Sequence, residues 1–124
     1  MMKRVLLYLW QLPQNIAGVL LTAILAGRFN EFENIPFFYS PNISGGISLG
    51  EYIIVGEYNR DLLRHEYGHC IQSRILGWLY LPVVGIPSFL WNCIYGLFID
   101  PNKVSYYSFY TERWADKLAG IERR

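Results

Sequence analysis

The stretch that decides the fold is Asn59-Arg-Asp-Leu-Leu-Arg-His65-Glu66-Tyr67-Gly68-His69-Cys-Ile-Gln-Ser-Arg-Ile-Leu-Gly77. It predicts one helix of about five turns. Asn59 is a suitable N-cap, because its side-chain oxygen can accept hydrogen bonds from the free amides of the first turn. Asp61 suits the positive first turn, and Gly77 is a typical stop. The sequence therefore predicts a single helix bounded by residues 59 and 77.

Two histidines lie four residues apart on this helix, at His65 and His69. Side chains at that spacing lie on one face, so both imidazoles can reach one tetrahedral metal ion. Glu66 lies beside them, where its carboxylate can reach a water molecule in the ion's open position and act as general base. The alternative is coincidence in a helix that contains two histidines. Because these are the chain's only histidines and Glu lies in the required position, we favour a zinc site with Glu66 as its catalytic residue.

A catalytic zinc site normally has a third protein ligand. No other histidine is present, so this ligand must be a carboxylate or a cysteine. Cys70 directly follows His69, which turns its side chain about 100° away from the face that the histidines share. The third ligand is therefore expected from another part of the chain.

The best candidates for this role lie near the end of the chain, at Glu112 and Asp116. They are four residues apart on one predicted helix face, and Ala115 between them permits close packing of helices. We expect Glu112 to be the third metal ligand, and Asp116 to accept a hydrogen bond from the distal N–H of a ligating imidazole. The alternative is a solvated acidic face with salt bridges to Arg113 or Lys117.

Between these two helices the period of the apolar residues changes to two. In residues 47–55 alternate side chains are apolar and β-branched residues are common, which predicts a strand. Residues 35–39 are its expected partner, and Pro36 places that partner at an edge of the sheet.

Two stretches carry the apolar excess, residues 5–27 and 75–99, and each is long enough to cross a bilayer. In the first stretch one helix face carries polar or small residues, namely Arg4, Gln11, Asn15, Gly18 and Thr22. We expect that face to meet protein while the apolar sides meet lipid or other protein. The alternative is a core helix that is kinked or begins at Pro13.

The second apolar stretch contains Pro82 and Pro87. An interior proline costs a helix about 3 kcal/mol, which favours a bent or re-entrant hairpin over a straight span. Topology favours the same answer, because a single crossing would leave His69 and Glu112 on opposite sides of the membrane, unable to share an ion. A soluble fold with this segment at its centre is the other solution.

Composition excludes several classes of protein. The chain has 124 residues, of which 52% are hydrophobic and 17% charged, so it is not intrinsically disordered. Its length fits a single domain over residues 1–124. Eleven basic and ten acidic residues leave a net charge of +1, so nucleic acid is not an expected partner. Cys70 and Cys93 do not form a disulfide framework, and we expect both to be reduced.

The motif from His65 to His69, followed by Glu112-Arg-Trp-Ala-Asp116, resembles the gluzincin group of zinc metallopeptidases. The Glu-x-x-Ala-Asp form resembles especially the membrane-embedded prenyl-protein and heat-shock protease family. The chain is also similar to very small soluble gluzincins that keep only the catalytic core. The resemblance covers the two helices and, loosely, the strand before them, and the chain has no room for a full second subdomain beside the cleft.

This resemblance implies a zinc metalloendopeptidase that acts on a peptide or protein substrate. It also implies that residues 47–55 form the edge along which an extended substrate adds, although a purely structural strand is the alternative. A side chain among Tyr106, Tyr107 and Tyr110 would bond the oxyanion of the reaction.

We therefore expect an α+β, mostly helical fold with a minimal zincin-like core. Its expected parts are an active-site helix, a short β-sheet with an edge strand, an apolar N-terminal helix and a Pro-broken apolar hairpin. We expect a membrane-associated protein with membrane lipid as a partner, and a cytoplasmic location is the alternative. Two other functions stay open, a noncatalytic zinc-bound module and a membrane-embedded interaction protein whose histidine pair is incidental.

Overall fold

A computed structural model describes residues 2–123 and shows an α+β protein, which confirms the predicted fold class. Most of the described residues lie in helices. The helices are α1 (Met2–Trp10), α2 (Leu12–Ile24), α3 (Arg60–Leu76), α4 (Ile86–Phe98) and α5 (Tyr110–Ala119). The strands are β1 (Arg28–Phe32), β2 (Ile35–Tyr39), β3 (Gly46–Leu49) and β4 (Tyr52–Val55).

The central helix α3 begins and ends where the sequence predicts. The Asn59 side-chain oxygen accepts hydrogen bonds from the amides of Asp61, at 3.0 Å, and Leu62, at 3.2 Å. Gly77 follows the last helical residue with a φ of 57°, a left-handed value that glycine adopts at little cost. These two ends fix the helix that carries both histidines and Glu66.

The four strands form one sheet in the order β1-β2-β4-β3, so β1 and β3 are its edges. β1 pairs antiparallel with β2, β3 pairs antiparallel with β4, and β2 and β4 are parallel. The two-residue turn Glu33-Asn34 has positive φ at both residues, 49° and 67°, which suits a tight hairpin. The sequence analysis did not predict β1, whose five residues are all exposed and so show no buried face.

Two predictions about the strands are wrong. Residues 47–55 form a hairpin of β3 and β4 rather than one strand, because the chain turns at Gly50 with a φ of 65°. Pro36 does not place β2 at an edge, since β2 lies between β1 and β4. Pairing with β4 involves only Phe38 and Tyr39 of β2, so the missing amide of Pro36 interrupts no hydrogen bond there.

The apolar core lies between the sheet and α3. Its buried residues come from β2, β4 and α3, and they are Phe37, Ile53, Val55, Leu63 and Cys70. The edge strand β3 also lies beside α3, with the Ser48 hydroxyl oxygen 3.4 Å from the Cys70 sulfur. Cys70 and the exposed Cys93 form no disulfide among the described residues, and their reduced state stays a prediction.

The first apolar stretch forms two helices, with an angle of 86° between α1 and α2. The bend falls at Gln11, and Pro13 lies in the first turn of α2, where a missing amide donor is tolerated. Gln11, Asn15 and Gly18 are buried, so most of the predicted polar face meets protein, although Arg4 at its start is exposed.

The second apolar stretch is not a hairpin broken at its prolines, and that prediction is corrected. A 3₁₀ turn (Gly77–Leu79) and a π turn (Leu81–Gly85) lead directly into α4. Pro82 lies in the first turn of the helical segment, where a missing amide donor is tolerated, and Pro87 lies in the first turn of α4, directly after the π turn. Leu81–Phe98 is one helix that is long and apolar enough to cross a membrane, and only one of its residues, Val84, is buried.

The chain nevertheless returns along α4, in residues 104–109, termed the return segment. The Trp91 indole N–H donates to the Tyr106 carbonyl at 2.8 Å. The Tyr95 hydroxyl donates to the Val104 carbonyl, also at 2.8 Å. The return segment thus leads from the end of α4 back to α5, which packs on α3.

The crossing of α3 and α5 is closest at Gly68. A Cβ atom on Gly68 would lie only 2.1 Å from the carbonyl oxygen of Ala115, so no larger residue fits without moving α5. The small side chains at this crossing bring the histidines of α3 opposite Glu112 of α5.

Candidate metal centre

Three buried side chains converge between α3 and α5, and they are the three predicted metal ligands. The Nε2 atoms of His65 and His69 each lie 3.2 Å from Oε1 of Glu112. One possible ligand atom from each of the three residues lies within 4.8 Å of the other two. The metal-binding role of these residues stays a prediction, but the structure brings them together.

Two of the separations among these atoms are close to those around a tetrahedral metal ion. With metal–ligand bonds of about 2.0–2.1 Å, neighbouring ligand atoms of a tetrahedral site lie about 3.3 Å apart. The N···O distance of 3.2 Å between each imidazole and Glu112 is close to this value. Two imidazole nitrogens and one carboxylate also form a ligand set that zinc commonly takes in catalytic sites.

The other nitrogen of each imidazole has a fixed acceptor. His65 Nδ1–H donates to Asp116 Oδ1 at 2.7 Å, and His69 Nδ1–H donates to Gln72 Oε1 at 2.6 Å. The Gln72 amide group donates in turn to the Thr111 carbonyl at 2.8 Å, which fixes its orientation. Because each Nδ1 has a fixed acceptor, each Nε2 is the ring nitrogen that faces Glu112, the position that metal ligation requires.

The alternative of a solvated acidic face does not describe these carboxylates. Glu112 is 2% exposed and Asp116 is 6% exposed. Neither Arg113 nor Lys117 forms an ion pair with them among the described residues, and Asp116 instead pairs with Arg123. The structure therefore places both carboxylates inside the protein, facing the histidines.

Ser88 and Thr111 hold the second oxygen of Glu112. The hydroxyls of both residues donate to Glu112 Oε2, each at 2.9 Å. The sequence analysis missed Ser88 because it lies in α4, where it appeared only as a rare polar residue in an apolar stretch. It also missed Gln72, although the spacing of three residues after His69 places both side chains on one helix face.

Arg123 encloses the Asp116 side of the centre. Its Nε donates to Asp116 Oδ2 at 2.6 Å and its Nη2 to Asp116 Oδ1 at 3.2 Å. The guanidinium carbon lies 3.3 Å from the centre of the Tyr107 ring, and that ring meets the edge of His65 at 5.1 Å. No local sequence signal joins these residues, because the chain must reverse at Gly120, with a φ of 73°, before Arg123 can reach Asp116.

Glu66 of α3 lies beside Gly46, the first residue of the edge strand β3. A Cβ atom on Gly46 would lie 2.9 Å from Glu66 Cγ and 3.0 Å from Glu66 Oε2, so the absent side chain of Gly46 leaves room for the Glu66 carboxylate. Burial raises the pKa of Glu66, although His69 and His65 partly oppose that shift. The general-base role of Glu66 stays a prediction, but the buried carboxylate lies beside both the histidines and β3.

The electrostatics of the centre favour positive charge. Burial alone would lower the pKa of His69, but the contact with Glu112 raises it to about 9. Burial would likewise raise the pKa of Glu112, yet both histidines hold it well below its usual range. An ionised carboxylate that stabilises a proton on its neighbour can stabilise a metal cation in the same place.

The three tyrosines that precede Glu112 differ in their contacts. The Tyr110 hydroxyl donates to the Val83 carbonyl at 2.7 Å, away from the centre, and the Tyr107 ring lies beneath Arg123. Burial and then the nearby Glu112 carboxylate raise the pKa of Tyr106, which keeps its hydroxyl a hydrogen-bond donor. Tyr106 is therefore the tyrosine of this group whose pKa the Glu112 carboxylate affects most.

No protein family, curated protein or solved structure matches the chain.

Proposed function

We propose that the protein is a zinc-dependent metallopeptidase that hydrolyses peptide bonds. The observation that carries this proposal is the convergence of His65, His69 and Glu112, with both imidazole Nδ1 atoms donating to fixed acceptors. A structural zinc site is normally closed by four protein ligands. Three converging ligands in the described residues favour a site with an open position, as in hydrolytic enzymes.

Zinc bound at this centre would polarise the scissile carbonyl and make a water molecule more acidic. The carboxylate of Glu66 would take one proton from water while the water oxygen bonds to the carbonyl carbon. As the C–N bond breaks, Glu66 would pass that proton to the leaving nitrogen. Burial, which raises the pKa of Glu66, assists its protonation in the first step.

The edge strand β3 is the proposed place for an extended peptide substrate. It pairs only with β4 in the sheet, and a substrate strand would bond its other edge, where the Tyr80 hydroxyl donates to the Ser48 carbonyl at 3.4 Å. Gly46 begins β3 directly beside Glu66. Tyr106 is the proposed donor to the negative charge that develops on the carbonyl oxygen.

We further propose that the protein works in association with a membrane. This is supported by the helix Leu81–Phe98, which is long and apolar enough for a bilayer and has almost no buried residue. A core helix of a soluble protein would be mostly buried, whereas this helix is not. Ser88 of the same helix bonds Glu112, so a membrane contact would lie close to the metal centre.

The test compares the zinc-loaded parent with Glu66→Gln on unfolded casein and on a mixed peptide library. We expect the variant to keep zinc and to lose cleavage, because the amide cannot accept the proton. Glu57→Gln is the matched control, since Glu57 is exposed and lies outside the centre. Equal cleavage by Glu66→Gln would refute the mechanism, and a zinc-loaded parent that cleaves neither substrate would favour the noncatalytic zinc module.

A further inference from the structure

Large apolar side chains are exposed along α1, the turn Gly77–Leu79 and α4. They include Leu6, Leu9, Trp78, Phe89, Leu97 and Phe98, and the last two are 76% and 80% exposed. The Trp78 indole donates to the Leu9 carbonyl at 3.1 Å, which joins the turn to α1. α4 follows that turn through the π turn alone, so the three elements present one connected apolar surface.

The aromatic side chains at this surface turn their polar atoms toward protein carbonyls. The Trp10 indole donates to the Arg74 carbonyl at 3.1 Å, and the Trp78 indole to that of Leu9. On α4, Trp91 and Tyr95 donate to the return segment in the same way. In water such donors need no protein partner, but in hydrocarbon an unpaired donor costs several kcal/mol.

Amide and hydroxyl side chains lie on the inner side of the same region. Gln11, Gln14 and Asn15 are fully buried where α1 and α2 meet. Gln14 donates to the Ser73 hydroxyl and to the Gly77 carbonyl, both at 2.8 Å. Polar groups inside and apolar groups outside reverse the usual arrangement of a water-soluble surface.

The charges around the surface complement anionic lipid headgroups. Residues 5–27 and 75–99 contain no Asp, Glu, Lys or Arg. α1 carries Lys3 and Arg4 at its start, both exposed, and the first acidic residue of the chain is Glu31. A cationic end beside an apolar helix is typical of segments that bind at the boundary of headgroups and acyl chains.

We propose that α1, the turn Gly77–Leu79 and α4 form a lipid-facing surface that contacts the acyl chains of a bilayer. α4 contributes its exposed side to this surface, and the charged residues Asp100 and Lys103, which follow α4 and are exposed, lie outside it. The Trp91 and Tyr95 bonds satisfy two carbonyls of the return segment, which contains only a short 3₁₀ turn at Tyr106–Ser108, as hydrocarbon requires. This inference gives the proposed membrane association its contact surface and does not depend on peptidase activity.

The experiment uses the full chain and vesicles of phosphatidylcholine and phosphatidylglycerol, with and without bromine on the acyl chains. Bromine quenches tryptophan fluorescence on contact, so we expect quenching of the parent in brominated vesicles. Trp78→Phe should be quenched by a smaller fraction than the parent, because a lipid-contacting indole is lost. Trp114→Phe is the control, because Trp114 lies half-buried on α5, away from the surface, and its removal should leave a larger quenched fraction.

Flotation of the vesicles provides a second readout that does not require a variant to fold. The parent should float with the vesicles, and more completely when phosphatidylglycerol is present. A parent that stays in solution, or equal quenched fractions in parent and Trp78→Phe, would overturn the proposal. A soluble dimer in sedimentation without lipid or detergent would also overturn it, because a second copy would then cover the surface. Zinc content and cleavage are measured separately, so either proposal can fail alone.

Discussion

At the metal centre and at the lipid-facing surface, polar side-chain atoms have hydrogen-bond partners within the protein, although the first region is buried and the second is exposed. At the metal centre, buried carboxylates and imidazoles bond one another, as in the contact of Asp116 with His65. At the lipid-facing surface, apolar side chains are exposed while indole and hydroxyl donors turn back to carbonyls. In both regions the orientation of a polar side chain follows from its hydrogen-bond partner rather than from a division into an apolar interior and a polar exterior.

The largest effect is expected for a substitution at Gly68, which should disrupt the metal centre and leave the lipid-facing surface unchanged. We expect Gly68→Ala to lose bound zinc and to keep vesicle binding, because a Cβ atom there would collide with Ala115 and displace Glu112. Overpacking of this kind typically costs about 1–3 kcal/mol of stability. The measurement is zinc content together with flotation. Gly96→Ala is the control, since a Cβ atom at Gly96 would meet nothing within 4 Å, and zinc retained at the parental level in Gly68→Ala would contradict the account.

A smaller effect is expected when the acceptor behind His65 is removed. Asp116→Ala should weaken zinc binding by about 10–100-fold, because the imidazole loses the partner that orients it. Competition with a chromogenic chelator measures the affinity. Asp100→Ala, at an exposed position after α4, should leave the affinity unchanged. An unchanged affinity in Asp116→Ala would show that this contact does not support the centre.

The converse experiment changes the lipid-facing surface and leaves the metal centre intact. Phe98→Ser should weaken partitioning into vesicles about tenfold, because burial of a phenylalanine side chain contributes about 1.5–3 kcal/mol. Zinc affinity should stay at the parental value, since Phe98 is 80% exposed at the far end of α4. Undiminished partitioning would indicate that this end of α4 does not contact lipid.

The smallest effect is expected at a position that serves only the fold. Asn59→Ala removes the cap of α3 and should lower the free energy of unfolding by about 1 kcal/mol. Thermal unfolding of the zinc-free protein should show a midpoint lower by roughly 4 °C. Zinc affinity and flotation should not change. A large loss of zinc in this variant would mean that the start of α3 is coupled to the centre.

Local signals in the sequence predicted the elements that depend on neighbouring residues. The ends of α3 follow from Asn59 and Gly77, whose preferences act within one or two turns. The spacing of His65 and His69 likewise follows from helix geometry, so their common face could be predicted. The inward polar face was correct within α2, where Asn15 and Gly18 are buried, but not across the bend at Gln11, since Arg4 of α1 is exposed.

Predictions from the sequence were wrong where an outcome depends on contacts between distant parts of the chain. Pro82 and Pro87 disfavour helix interiors, yet the chain stays helical from Leu81 to Phe98, with the π turn Leu81–Gly85 at the prolines. The hairpin at Gly50 depends on a left-handed residue within a stretch whose apolar pattern continues. Ser88 and Arg123 reach the metal centre only through the return of the chain along α4 and the reversal after α5, which no local pattern contains.

The most direct test of the central claim is the zinc content of the parent, purified without a histidine tag, by elemental mass spectrometry. Glu112→Ala is measured beside it, with Glu57→Ala as the control. The account predicts close to one zinc per chain in the parent and in the control, and much less in Glu112→Ala, because one of the three converging ligands is gone. No zinc in the freshly purified, folded parent, or equal zinc in Glu112→Ala, would contradict the account.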